Sequence, residues 1–170
     1  MLKMMIEVKN NIKKVNRREN FGTVALGGTF DHLHKGHQNL LRTAFKISNH
    51  IVIGLTTDSL LIHKKHYKLI QSYEEREVSL KRFINKEYYL SEKIFSIIPL
   101  KDLFGPAISE PKIDVLVCSN ETYRGCLKIN QIRINNGLKP VMIMIIPLTL
   151  NSSGKKLSST DIRAEIHQEC

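Results

Sequence analysis

Residues 21–28 read FGTVALGG, a short apolar run that ends in paired glycines and passes straight into a segment of helical periodicity. Leu33, Leu40, Leu41, Ala44 and Phe45 fall at helical spacing, which predicts a helix from residue 34 to about residue 48. A strand that turns within a few residues into a helix opens a β/α unit, and the rest of the chain repeats the alternation. Residues 50–56 (HIVIGLT) are β-branched and apolar. Tyr73, Leu80, Phe83 and Ile84 then mark one face of a second helix, opened by Ser72 with Glu75 three residues on, a capping-box pattern. Further strands are predicted over 93–100, 113–118 and 141–148. A helix over about 120–136 is stopped by Gly137 and Pro140. A last short helix begins near Ser158, with Ile162 and Ile166 one turn apart.

Strands that are apolar on both faces and alternate with helices predict an α/β fold. The expected form is a Rossmann-like, doubly wound parallel sheet of about five strands with flanking helices and right-handed crossovers. No internal repeat or Gly/Ser linker divides the 170 residues, so residues 21–170 are read as a single domain. Residues 1–20 are read as a basic N-terminal extension. There Lys3, Lys9, Lys13, Lys14, Arg17 and Arg18 stand against Glu7 and Glu19, the pattern of a solvated tail. In open sheets of this kind ligands bind beyond the carboxyl ends of the strands, so function is sought in the loops near 28, 57, 100, 119 and 149.

Composition removes several alternatives. With 42% hydrophobic and 25% charged residues, the chain can hold a core without metal or disulfide. Cys118, Cys126 and Cys170 are odd in number and form no C-x-x-C pair, which argues against a disulfide framework or zinc finger and for a reducing, cytoplasmic setting. Cys118 and Cys126 sit in apolar stretches and are read as core residues. The apolar run 141–146, closed by Pro140 and Pro147, is far short of the roughly 18 residues of a membrane span. Met4-Met5-Ile6 is too short for a signal-peptide core, so neither export nor a membrane partner is expected. A net charge of +10 suits either a nucleic-acid binder or an enzyme for anionic small molecules. Part of that excess belongs to the first twenty residues, which makes nucleic acid the less expected partner.

The chemistry concentrates in Gly27-Gly28-Thr29-Phe30-Asp31-His32-Leu33-His34-Lys35-Gly36-His37. At a spacing of three, His34 and His37 both project from one side of a helix's first turn, beside its unpaired amides and the positive end of its dipole. Gly27, Gly28 and Gly36 remove side-chain bulk, so that a flat base or a phosphate chain can approach the backbone. The stretch reads as a polyphosphate cradle with two added donors. His32 is read as a surface residue. A zinc site would need three or four ligands, and with no cysteine nearby only Asp31 is left to complete one, so no metal is assigned to the protein itself.

GTFDHLHKGH resembles the signature of the HxGH nucleotidyltransferase superfamily. Leu157-Ser158-Ser159-Thr160-Asp161-Ile162-Arg163, about 120 residues further on, is similar to its second motif, a Ser/Thr-rich turn at the start of a C-terminal helix. The stretches Gly54-Leu55-Thr56-Thr57-Asp58, Tyr73-Glu74-Glu75-Arg76, 117–125 (VCSNETYRG), 129–133 (INQIR) and 137–140 (GLKP) resemble the archaeal and eukaryotic type of phosphopantetheine adenylyltransferase. The match runs from about residue 22 to residue 166. It departs from that family's pattern at Asn120 and Arg124.

The resemblance implies transfer of AMP from ATP to 4′-phosphopantetheine, giving dephospho-coenzyme A and pyrophosphate, with Mg²⁺ held through substrate phosphates and coenzyme A or dephospho-coenzyme A as a product-like ligand. It assigns His37, Thr29 and Lys65 to catalysis. Gly28, Thr29, Phe30, His34, Gly36, His37, Arg124, Ser158, Ser159 and Thr160 fall to ATP, and Thr29, Lys64, Lys65 and Arg133 to the acceptor. Which of Lys64 and Lys65 neutralises the acceptor phosphate stays open, as does whether Arg163 touches phosphate or supports its turn. Asp31 is assigned either to bracing the loop or to the ligand, and Asp58 to capping the short helix after the second strand. Other members of the superfamily, such as a cytidylyltransferase or an NMN or FMN adenylyltransferase, share the first motif and form the alternative. From a different class, a non-catalytic RNA binder would show affinity that falls steeply with salt.

Overall fold

In the computed structural model, which describes residues 21–89, 92–151 and 154–168, the apolar runs become five strands. These are β1 (Phe21–Gly28), β2 (Ser48–Thr56), β3 (Ile94–Leu100), β4 (Ile113–Ser119) and β5 (Met142–Ile146). Between them run α1 (Lys35–Ile47), α2 (Tyr73–Tyr88) and α3 (Tyr123–Asn135), and α4 (Ser159–Gln168) follows β5. The basic extension expected over residues 1–20 lies outside the described residues.

All neighbouring strands are parallel, in the order β3-β2-β1-β4-β5. From β1 the chain winds outward through β2 and β3, then crosses back to add β4 and β5 on the other side. The switch point therefore lies between the carboxyl ends of β1 and β4, where a doubly wound sheet opens a crevice.

Alternate residues of each strand feed two separate apolar layers. Val24 and Leu26 of β1, Ile51, Ile53 and Leu55 of β2, and Val115 and Val117 of β4 pack with Leu41 and Phe45 of α1 and Leu80 and Ile84 of α2. On the opposite face Ala25, Ile113, Leu116 and Cys118 pack with Cys126 and Ile129 of α3. The period-two alternation of a strand sends its residues to both faces, which is why these strands read as nearly unbroken apolar runs. Among the described residues no helix is long and apolar enough to cross a membrane.

Element ends depart from expectation where particular side chains act. The capping box forms as read, with Glu75 N–H on Ser72 Oγ at 3.2 Å and Ser72 N–H on Glu75 Oε2 at 2.8 Å. α1 runs directly into β2, because Ser48 N–H still bonds Ala44 O while its hydroxyl donates to Gly22 O at 2.6 Å and ties the new strand to β1. α3 starts at Tyr123 rather than near 120, since Thr122 N–H bonds Ser119 O and Thr122 Oγ1 accepts Ser119 N–H, a closed turn. β5 stops at Ile146, opposite Ser119, where Pro147 has no N–H to continue the ladder.

Candidate functional site

β1 delivers Gly27 and Gly28 to the switch point, and the loop beyond them is held in an unusual shape. Phe30 (φ +52°) and His32 (φ +43°) both occupy the left-handed region, which side chains other than glycine adopt only when their surroundings impose it. The constraints are specific. His32 N–H donates to Gln71 Oε1 at 2.8 Å, and the buried Asp31 carboxylate accepts Gln71 N–H at 3.0 Å together with the Arg163 guanidinium. Phe30 is wholly buried, its ring packed against His37 at 5.3 Å between centroids, and it forms part of the lining of the cavity beside it. His32, read as a surface residue, is half-buried and pinned within this loop.

His34 and His37 meet as the spacing predicts, by stacking. Their rings lie 3.9 Å apart at 20°. His34 is the cap of α1 rather than its first residue, and its Nδ1 accepts Gly36 N–H at 3.1 Å. A Cβ at position 36 would lie 3.0 Å from His34 Cε1, so glycine is what lets this imidazole fold back. Burial holds the His37 pKa down at about 3, with His34, when protonated, and the Lys64 ammonium adding to it. Burial also lowers that of His34, helped by Lys156 and opposed by Asp31. Both rings are neutral at pH 7, and each then offers one N–H and one lone pair. His37 Nδ1 is buried with no hydrogen-bond partner.

The second motif closes on the first. Ser159 Oγ donates to Asp31 O at 2.8 Å across a sequence separation of 128 residues, and Thr160 Oγ1 accepts from Arg163 at 3.2 Å. Ser158 Oγ accepts Thr160 N–H at 3.1 Å, shaping the start of α4. Arg163 is therefore the support of its turn, through Asp31 and Thr160, and Asp31 braces the loop. Between the motifs lies a cavity of about 460 Å³, lined by Gly28, Thr29, His34, Gly36 and His37 on one side and Ser158, Ser159 and Thr160 on the other.

Lys64 and Lys65, left as alternatives by the sequence, differ in their contacts. Both are exposed and line the cavity, but the Lys64 Nζ donates to Thr29 Oγ1 at 2.7 Å. The Lys64 ammonium has a lowered pKa, first because the pocket strips part of its hydration and next because Arg163 is nearby, with Asp31 opposing. A second cavity of about 610 Å³ adjoins the first and shares Gly28, Thr29, Lys64, Glu121 and Thr122 with it. Its remaining walls are chiefly apolar, among them Leu100, Leu103, Phe104, Leu116 and Ile129.

Three further sequence assignments change. Arg124, assigned to ATP, is exposed and lines the second cavity instead. Arg133, assigned to the acceptor, is buried at 1% exposure and spends its guanidinium on Lys139 O, Ala107 O and Glu110 O, apart from both cavities. Asp58 does not cap its own short helix; its carboxylate accepts Tyr73 N–H at 3.1 Å at the start of α2 and pairs with Arg76.

Arg76 is the residue that sequence reasoning missed. Wholly buried, it donates to Thr29 O at 2.9 Å, Thr56 O at 2.8 Å and Gln71 O at 2.9 Å, joining the loops after β1 and β2 to the start of α2. The signal was available in Tyr73-Glu74-Glu75-Arg76, an arginine on the helix face that carries Leu80 and Ile84.

The carboxylates that line the polar cavity are already engaged, Asp31 with Arg163 and Gln71 and Glu121 with Lys156. Among the described residues no group of three or more His, Cys, Asp or Glu is placed to hold a metal ion.

Comparison with known proteins agrees with this geometry. The cytidylyltransferase-like family model matches residues 25–165. The phosphopantetheine adenylyltransferase of Methanopyrus kandleri is 38% identical over 148 residues, covering 87% of this chain and 92% of the relative. That of Thermococcus kodakarensis is 40% identical over 147 residues, covering 86% and 87%. Among solved structures, a protein of unknown function from Archaeoglobus fulgidus superimposes with a TM-score of 0.67 at 28% identity, over 80% of this chain and 99% of that one. Sharing more than a third of its residues with these relatives over most of their length, the chain belongs to the phosphopantetheine adenylyltransferases, within the cytidylyltransferase-like family.

Proposed function

We propose that the chain transfers the adenylyl group of ATP to the phosphate of 4′-phosphopantetheine, forming dephospho-coenzyme A and pyrophosphate. The observation that carries this reading is the junction of a polar cavity and an apolar one at Thr29 and Lys64. A triphosphate suits the first, the pantetheine arm suits the second, and the acceptor phosphate then lies where the two meet. The product, which joins both substrates, would span both cavities, as would coenzyme A.

An oxygen of the acceptor phosphate attacks the α-phosphorus in line, and pyrophosphate leaves. No enzyme nucleophile is required, so the protein contributes position and charge stabilisation. Lys64 offsets the repulsion between the two anions and, with Thr29, sets the acceptor phosphate. His37, neutral and therefore a donor without a charge of its own, holds an N–H for the α-phosphate as charge gathers there. The hydroxyls of Ser158 and Thr160, at the positive end of α4, suit the β- and γ-phosphates. Ser159 is occupied with Asp31 O and acts as a brace. Mg²⁺ bound through the triphosphate oxygens would neutralise charge on the leaving group; the cavity carboxylates are engaged elsewhere, so the protein would hold it only through the substrate. We place the enzyme in the cytoplasm, where its thiols stay reduced.

The test is pyrophosphate release and product mass with ATP and 4′-phosphopantetheine. Turnover of CTP with phosphocholine, or of ATP with NMN or FMN, and none with phosphopantetheine overturns the assignment.

A further inference from the structure

One ion pair joins two walls of the polar cavity, and neither partner takes part in the proposed transfer. Lys156 and Glu121 both line that cavity, and their side chains pair over a sequence separation of 35 residues. The backbone beneath each is fixed by a different element. Lys156 is bridged to Leu150, and the next residue, Leu157, donates its N–H to Thr149 O at 2.9 Å. Thr149 Oγ1 in turn accepts Asn39 Nδ2 of α1 at 3.1 Å. Glu121 sits in the closed turn between β4 and α3, beside Thr122. The side chains can therefore change partners while the backbone stays. At 38% and 55% exposure they form a half-solvated pair, of the kind that contributes little to stability and parts readily. The carboxylate also stands among other cations. It lies close enough to Lys64 to favour that ammonium's charge, and Lys156 lies close enough to His34 to disfavour a proton there.

By the proposed function, on which this inference rests, the triphosphate lies in this cavity with its outer phosphates at Ser158 and Thr160. Lys156 shares that wall, two residues before Ser158. A carboxylate held there by a lysine is the protein's own anion in the place of phosphate. We infer that Lys156 is a triphosphate-binding residue, held on Glu121 in the free protein and passed to the β- and γ-phosphates when ATP enters. The exchange is favourable because a polyphosphate offers several anionic oxygens against one carboxylate. A lysine, a point charge on a flexible four-carbon stem, follows that charge by rotating its side chain alone. Glu121 turns back to solvent. It lines both cavities, so a carboxylate left in place would repel the acceptor phosphate as well as the triphosphate. AMP, which has no β-phosphate, leaves the pair intact, and the pair thereby favours the triphosphate over the monophosphate.

The test is the Kd of ATP and of AMP, by calorimetry on the full chain with Mg²⁺ and without acceptor, which keeps it independent of the acceptor's identity. K156M should weaken ATP binding about 10-fold, the scale of one charge-assisted contact to phosphate, and leave AMP within about 2-fold of the parent. K156R, which keeps the charge, should recover most of the loss. E121Q, which frees the lysine, should tighten ATP binding about 3-fold, the scale of a half-exposed pair that no longer competes, and should change nothing in a K156M background. The opposite signs separate exchange from a mere tie between two turns, since a tie would weaken ATP binding whichever partner was lost. Weaker ATP binding by E121Q, or parent-like ATP binding by K156M, therefore overturns the inference. Equal weakening of ATP and AMP by K156M overturns the placement on the outer phosphates. The expected shifts in a protein that fails to turn over 4′-phosphopantetheine leave Lys156 as inferred and overturn the acceptor instead. A parent protein that binds no ATP overturns both.

Discussion

The two cavities share a floor but are walled by opposite chemistry. On the α1 and α4 side the walls are hydroxyls, amides and a pair of neutral imidazoles, brought together by the bonds from Ser159 and Arg163 to Asp31 that cross more than a hundred residues of sequence. On the α3 side the walls are leucines, a phenylalanine and an isoleucine that belong to or border an apolar layer. Under the proposed function the first would meet developing charge, which exists only as the reaction proceeds. The second buries apolar surface equally in ground and transition states. Damage to the polar side should therefore appear in kcat, and damage to the apolar side in the acceptor KM.

The largest expected effect comes from removing the imidazole. His37→Ala should lower kcat about 10²–10³-fold, the usual loss for one transition-state donor, with little change in the KM for ATP. Steady-state kinetics against both substrates checks it; a raised ATP KM at normal kcat would make His37 a ground-state anchor and blur the contrast.

Lys64 sits at the boundary and should show both signatures. Lys64→Ala is expected to lower kcat/KM for the acceptor roughly 10- to 100-fold, on the scale of a lost charge-assisted contact to phosphate. Lys65→Ala should stay near the parent value. The reverse order would move the acceptor phosphate off Thr29.

The apolar side is probed at Gly125, where a Cβ would meet nothing within 4 Å and which lines that cavity from the first turn of α3. Gly125→Leu projects bulk into the open space. An acceptor KM raised about 10-fold, with ATP KM and kcat nearly unchanged, is the expected result. A fall in kcat alone would show that the two cavities are not independent.

The division between the cavities also explains what the sequence made legible. The strands themselves and the facing motifs were readable because apolar periodicity and the paired glycines are local signals: 21–28 and 34–47 carry their own instructions. Phe30, Arg124 and Arg133 show what the sequence leaves open. Each lies in or beside a motif that resembles a nucleotide site, and only the tertiary fold decides whether such a side chain points inward to the core, as Phe30 and Arg133 do, or across to the other cavity, as Arg124 does. Arg76 shares the buried helix face of Leu80 and Ile84, but the three carbonyls that satisfy it lie on separate segments whose meeting only the fold reveals. Lys64 and Lys65 could not be separated by sequence, since adjacent residues differ only in direction.

Acid should act on the polar side first, and the direction follows from His37. Its folded pKa of about 3 lies below the ordinary 6.5 of the unfolded chain. Between those values the unfolded state binds the extra proton, so stability falls as pH drops below about 6.5 and the loss is complete only near pH 3. At pH 5 this one group accounts for a loss on the order of 1–2 kcal/mol, reduced from the full linkage value because the ring is not wholly shielded from water. His34, lowered in the same direction, adds to it. Urea unfolding at pH 7 and pH 5 measures the difference, and His37→Gln, which keeps a polar side chain but cannot titrate, should flatten it. An equal pH dependence in that variant would place the titrating group elsewhere. The leucines, phenylalanine and isoleucine of the apolar cavity take up no protons, so Gly125→Leu should leave the slope as it was.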